Sequence, residues 1–257
     1  MLELFFAEFR RRWIIFRRYP IEAIAGIFVY ASVFYGLFLS ASYIAGPSFQ
    51  LGERLDSIIV GYVLWTLMTS IFFDIGGQLQ QEALTGTLEQ VFLARYGAIQ
   101  VFLMRSLANL SFQIIQMFGI LFIIIVLTQS HLNFPPTLVL AFVTVLLGAY
   151  GIAFILGSLS LLFKRIQQVT PLLQFPLLFL LTTPTETWTG TGRLLAQILP
   201  MAPGAGLLRD LMARGESLNL TSLAIALLNG SIYFAVGLSL FRVAEYQTKR
   251  RGMLSGY

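Results

Sequence analysis

Only one acid, Asp74, lies well inside an apolar run of this 257-residue chain. An ionisable group at that depth is a functional hypothesis by default. At a bilayer centre it would cost about 2.5–3.5 kcal/mol, and its position near the end of the run reduces that burden. Arg105 is its expected ion-pair partner. Arg105, Asn109, Gln113 and Gln116 recur at i, i+4, i+8 and i+11, which puts them on one polar stripe of a helix. Amides facing lipid would go unsatisfied, so the stripe must face other helices, as inter-helix glue or as the wall of a pathway. Gln174 adds a polar position to a later apolar run. Catalytic sets are missing. The single histidine and the lack of cysteine argue against a histidine- or thiolate-based metal site. Neither a G-x-x-x-x-G-K-[ST] phosphate loop nor a G-x-S-x-G elbow occurs, so the expectation is a non-enzyme with no bound cofactor.

The elements that position these residues are apolar helices. Hydrophobic residues make up 57% of the chain and charged ones 11%, with a mean hydropathy of +0.79. A soluble domain is about a quarter charged. The predicted class is therefore an all-α membrane protein. Six runs approach the roughly 20 residues a span needs, at about 22–45, 57–79, 98–128, 138–163, 167–183 and 219–243. The fifth is short and interrupted by Pro171 and Pro176, which predicts a kink. If both termini are cytoplasmic, thirteen of the 17 Lys and Arg residues fall inside and four outside, the asymmetry expected for that orientation. The net charge of +5 then belongs to span ends, and nucleic acid is not an expected partner.

Residues 1–20 form a separate unit. Leu2, Phe5, Phe6, Phe9, Trp13 and Phe16 share a stripe, while Arg10, Arg11, Arg12, Arg17 and Arg18 occupy the remainder. The expectation is an amphipathic helix on the membrane surface, with Phe5, Phe9 and Trp13 at the acyl boundary and Arg11 and Arg18 toward lipid headgroups. A signal peptide is the competing reading, but the following run exceeds the usual 7–15 apolar residues. Residues 21–257 are read as one six-span domain. Its connection at 182–218 carries two short apolar helical stretches, read as helices at the outer leaflet. Ala149, Ala153 and Gly157 predict close helix packing on the fourth run.

Between the second and third runs lies a polar island, QEALTGTLEQVFLARYG. Glu82 to Arg95 reads as a short amphipathic helix with Leu84, Leu88 and Val91 on one face and Glu82 and Glu89 on another; Gly86 and Thr87 favour a bend. Glu82 followed by Gly86-Thr87-Leu88-Glu89 resembles the coupling segment of ABC transporter permeases of the type-2 exporter class. Short helices before the last span add to the likeness. The resemblance implies a permease subunit in a bacterial cytoplasmic membrane, paired with an identical or paralogous permease. It also implies a separate ATPase subunit that binds MgATP and is contacted through Glu82, Leu84, Gly86, Thr87, Leu88, Glu89, Val91 and Arg95. Glycan-exporting members carry a Leu-Gly-x-x-Trp sequence leading into the first span, which is missing after Arg17-Arg18-Tyr19-Pro20. The implied cargo is thus a small amphipathic compound or a lipid. A gradient-driven transporter would want inverted repeats and several intramembrane acids. A non-transporting membrane scaffold is the other alternative.

Overall fold

The computed structural model describes residues 2–45, 52–93, 97–163 and 169–250, and within these every regular element is a helix. Helix α1 spans Leu2–Arg18 and α2 Pro20–Ala45. They break at Tyr19 because a residue preceding proline is pushed out of the α region, while Pro20 suits the first position of the next helix. α3 runs Gly52–Leu84, α4 Leu88–Leu93, α5 Ala98–Thr128 and α6 Leu138–Phe163. α7 covers Val169–Thr182, α8 Thr191–Ile198, α9 Ala202–Met212 and α10 Leu220–Arg250. The Asn219 side chain accepts hydrogen bonds from the amides of Thr221 (2.9 Å) and Ser222 (3.3 Å), an N-cap for α10.

Five helices, α2, α3, α5, α6 and α10, are long and apolar enough to cross a membrane. α7, the expected fifth span, has 14 described helical residues. At 1.5 Å per residue that is roughly 21 Å, short of a hydrocarbon core of about 30 Å. Six spans thus exceed what length and composition establish. Its Pro176 lies within the helix and withdraws one backbone donor.

α3 is the central element. Ile59, Leu67, Met68, Ile71, Phe72, Ile75 and Leu79 are all buried, against α5, α6, α7 and α9. Its apolar residues are spread around the whole helix, as a helix covered on all sides requires. α6 and α10 lie side by side in the same direction, and small residues set their separation. A Cβ at Gly237 would fall 2.1 Å from the Gly151 carbonyl oxygen, and one at Gly230 would fall 2.5 Å from that of Thr144. The expected ridge of Ala149, Ala153 and Gly157 is buried too, but Gly157 meets Ile75, Leu79 and Phe241. The closest approach to α10 is made by Gly151. α3 and α7 come equally near: a Cβ at Gly61 would lie 2.1 Å from the Leu181 carbonyl oxygen.

Candidate functional site

The island after α3 does not fold as one helix from Glu82 to Arg95. α3 carries Glu82 in its last turn and stops at Leu84. Gly86 takes φ +70°, and the Thr87 amide reaches back to the Glu82 carbonyl at 2.9 Å. This six-to-one closure around a left-handed glycine is the Schellman way of ending a helix. Thr87 closes the turn a second time, its hydroxyl donating to the Glu82 carboxylate. Its carbonyl then accepts from the Val91 amide at 3.2 Å, which starts α4. The bend expected at Gly86-Thr87 is thus a full stop, and it separates Glu82 from the Val91 segment. Val91 is half-buried. The side chains of Leu84, Leu88 and Glu89, and Arg95 as a whole, lie outside the described residues.

Arg105 does not pair with Asp74. Its Nη1 meets Glu82 Oε1 at 2.7 Å and its Nε meets Glu8 Oε1 at 3.1 Å. One cation near the start of α5 therefore ties the last turn of α3 to α1. The three side chains keep only 9% (Arg105), 17% (Glu82) and 12% (Glu8) of their exposure. Glu8 also holds Arg11 at 3.1 Å. Asp74 is served instead by amides: Asn109 Nδ2 donates to its Oδ1 at 2.7 Å, and Gln78 Nε2 to the same oxygen at 2.5 Å. The geometry spends the guanidinium where two carboxylates can share it and leaves Asp74 to neutral donors. Gln113 is buried, and its Oε1 has no protein donor; Gln116 Nε2 reaches the Ala23 carbonyl on α2 at 3.4 Å. The polar stripe of α5 thus faces three different neighbours. Gln174 lies apart from it on α7, where its backbone carbonyl accepts Trp65 Nε1 at 2.9 Å.

No protein-family model and no curated protein matches this chain. The assignment of the site therefore rests on its own chemistry.

The aromatic stripe of α1 is divided between two surroundings. Phe9, Trp13 and Phe16 gather around Phe112 of α5, with ring centroids 5.3, 6.2 and 5.5 Å away, and Phe5 stacks on Phe9. Leu2 and Phe6 stay 74% and 64% exposed. The covered face is rotated from the centre of the stripe toward Glu8, because the Arg105 contact fixes it there. Phe9 is half-buried, with its ring against Phe112. Arg17 sits over the Trp13 ring at 5.4 Å and Arg18 over Tyr19 at 5.7 Å.

Three participants escaped the sequence reading. Glu8 takes no part in the aromatic stripe of residues 1–20, although an acid one turn from Arg11 and Arg12 is a signal of local pairing. Phe92 of α4 is buried, with the Lys249 ammonium 5.4 Å from its ring, so α4 also touches the last turn of α10. No spacing in the sequence links residues so far apart.

A second ionic network occupies the opposite end. Arg209 is fully buried. Its Nη2 and Nε hold Glu186 at 2.6 and 3.1 Å, and its Nη1 donates to the Leu181 carbonyl at 2.5 Å. Arg214 bridges Glu186 (2.8 Å) and Asp210. Burial alone would raise the Glu186 carboxyl, but Arg209 and then Arg214 outweigh it and hold the group below its ordinary value. At Asp210 burial wins over Arg214 and pushes the carboxyl up. Among the described residues no three acid or histidine side chains gather as a metal site.

Proposed function

We propose that this chain is the membrane-spanning permease subunit of an ATP-driven exporter, working with a separate ATPase subunit and a second permease. In this reading the peptide crosses the membrane six times with both termini in the cytoplasm. The apolar run 167–183 that contains α7 is the fifth crossing, and α8 and α9 lie at the outer surface. The observation that carries the reading is the unit built on Glu82. A Gly-Thr stop ends the central helix and is followed at once by the short α4. Arg105 fastens that stop to both α1 and α5. A push on α4 would therefore reach the most deeply packed span and the N-terminal helix together, as a lever between a soluble motor and a bundle must. Differential docking of the ATPase in its two nucleotide states would then shift the bundle between inward- and outward-accessible forms. The cargo class that fits the resemblance is a small amphipathic compound or lipid.

The test is co-purification from native membranes, with ATPase activity measured in the eluate. Gly86→Pro removes the left-handed stop and Glu89→Lys reverses a charge on α4, while neither alters an apolar span. Both variants should insert normally and lose ATPase association or coupled export. Retention of both properties in the two variants would overturn the assignment of α4 and the Glu82 unit as the coupling contact, whereas the lack of any co-purifying ATPase with the unaltered chain would overturn the reading in favour of a scaffold or a gradient-driven carrier.

A further inference from the structure

A cleft of about 770 Å³ lies between α2, α3 and α7, at the end of the bundle that carries the Arg209 network. Ligand sites are commonly about 300–1,000 Å³. Its three walls change character in step. From Phe34 through Phe38 to Ala41 on α2, and from Tyr62 through Ile58 to Arg54 on α3, the lining passes from aromatic to small or charged. On α7, Leu178 gives way to Thr182, and Thr187 and Arg214 follow beyond it. Between Tyr62 and Arg54 α3 rises about 12 Å. The apolar end is closed. Phe34 and Tyr62 are buried there with ring centroids 4.9 Å apart, and Tyr62 Oη donates to the Tyr30 carbonyl at 2.8 Å. The cleft opens between α2 and α7, because α2 packs along α5 instead, and Leu37 and Phe179 beside the opening are exposed.

The charged side chains among the described lining residues are both arginines. Arg214 gives one N–H to Glu186 and another to Asp210, which leaves further donors on its guanidinium. Arg209, Arg214, Glu186 and Asp210 balance one another in charge. Arg54 is exposed and makes no ion pair among the described residues. Asp56, two residues on, belongs to another face of α3 and does not line the cleft. We propose that the cleft binds one anionic phospholipid, with its phosphate at the arginine rim and one acyl chain along Phe38 toward Phe34 and Tyr62. A phosphate takes charge-assisted hydrogen bonds from guanidinium groups, which selects the head, and the graded walls orient the chain. Thr182 and Thr187 have given their hydroxyl protons to the Leu178 and Pro184 carbonyls, both at 2.7 Å, and keep lone pairs for a hydroxyl of the head. A cationic amphiphile would suit the aromatic rings but would meet Arg54 as a like charge. The claim concerns binding alone and stands apart from the export reading.

The experiment is native mass spectrometry of the full chain in detergent, titrated with phosphatidylglycerol or with phosphatidylcholine of the same acyl chains. One phosphatidylglycerol should be retained in preference to phosphatidylcholine, which has no net charge and no donor on its head. Arg54→Gln should weaken phosphatidylglycerol binding about tenfold and leave phosphatidylcholine unaffected. Ala41→Trp fills the cleft from α2 and should remove the bound lipid with Arg54 still in place. Both positions are exposed, so neither change disturbs the core. Glycerol 3-phosphate, the head without chains, should not displace the lipid; displacement at equal concentration would refute the acyl half of the site. Equal or stronger retention of phosphatidylcholine, or phosphatidylglycerol binding unchanged in both variants, would overturn the proposal. A dimer mass that disappears in Ala41→Trp while the lipid count stays the same would give the cleft to a second copy of the chain instead.

Discussion

Replacing Arg105 with methionine tests the tie between α1, α3 and α5. The change keeps a long side chain of good helix propensity and removes the cation that Glu8 and Glu82 share at 3.1 and 2.7 Å. Two carboxylates with 12% and 17% of their exposure would then face each other with only Arg11, on Glu8, left as a counter-ion. Breaking a buried ion pair from one side costs about 3–5 kcal/mol, and the residual exposure places this case near 3 kcal/mol. Most of that is the penalty of stranded charge rather than the worth of the pair. Glu8→Gln and Glu82→Gln should therefore each restore part of the loss in the Arg105→Met background, although each is mildly destabilising alone. The assay is reversible unfolding in mixed micelles followed by tryptophan fluorescence, with double-mutant cycles for Glu8–Arg105 and Arg105–Glu82. Coupling energies of at least about 1 kcal/mol are expected, well above the 0.3–0.5 kcal/mol scatter of independent sites. Arg105→Met within that scatter of wild type, or cycles that simply add, would refute the claim that this guanidinium holds three elements together.

Two further outcomes follow from the packing and from the opposite end. Gly237→Ala should destabilise the chain by about 1–3 kcal/mol, because its Cβ would fall 2.1 Å from the Gly151 carbonyl oxygen and the neighbour is backbone that cannot rotate away; Gly36→Ala, with nothing within 4 Å, is the matched control in the same unfolding assay. In acid, Glu186 and Asp210 pull in opposite directions. The depressed Glu186 contributes stability that is complete above the ordinary glutamate value of about 4.5 and is lost as pH falls through its lower folded value. The raised Asp210 detracts at neutral pH and ceases to do so once it is protonated. An acid titration of unfolding should therefore show a loss of stability below about pH 4.5 that Glu186→Gln removes, whereas Asp210→Asn should raise neutral stability and leave that acid limb in place. An unchanged acid limb in Glu186→Gln would rule out the arginine clamp as its source.

The helices were legible because the sequence marks their ends in local chemistry. Pro20 after Tyr19, Gly86-Thr87 and Asn219 act within one turn to end or start helices; of these the sequence reading used only Gly86-Thr87, as a bend, and the structure makes it a full stop. α7 was legible only in part. Its apolar run and two prolines were visible, and the 14 described helical residues do not by their length establish a span. Partners across the fold were least legible. Asp74 and Arg105 share depth and opposite charge, which made them the natural pair on linear reasoning. The choice was decided by where α1 docks, and α1 docks through three rings on Phe112 together with Glu8. That contact joins residues 97 positions apart, and no periodicity encodes it.

This difference changes what the polar stripe can do. Had Arg105 met Asp74, the charged centre would have sat inside the bundle, and the amides above it would have read as the continuation of a pathway. With Arg105 turned toward Glu8 and Glu82, the charge belongs to the surface unit that contains the helix stop, and Asp74 is left among amides. The stripe then divides by depth into a mechanical part at its start and a neutral part at Gln113. Arg105→Met should disturb α1 and the Glu82 stop without touching the packing around Gln113, and Gln113→Met should do the reverse. Additive unfolding energies in the double variant would bear this out, because Gln113 lies two turns along α5 from the arginine; a coupling above about 0.5 kcal/mol would show that the stripe acts as one network after all.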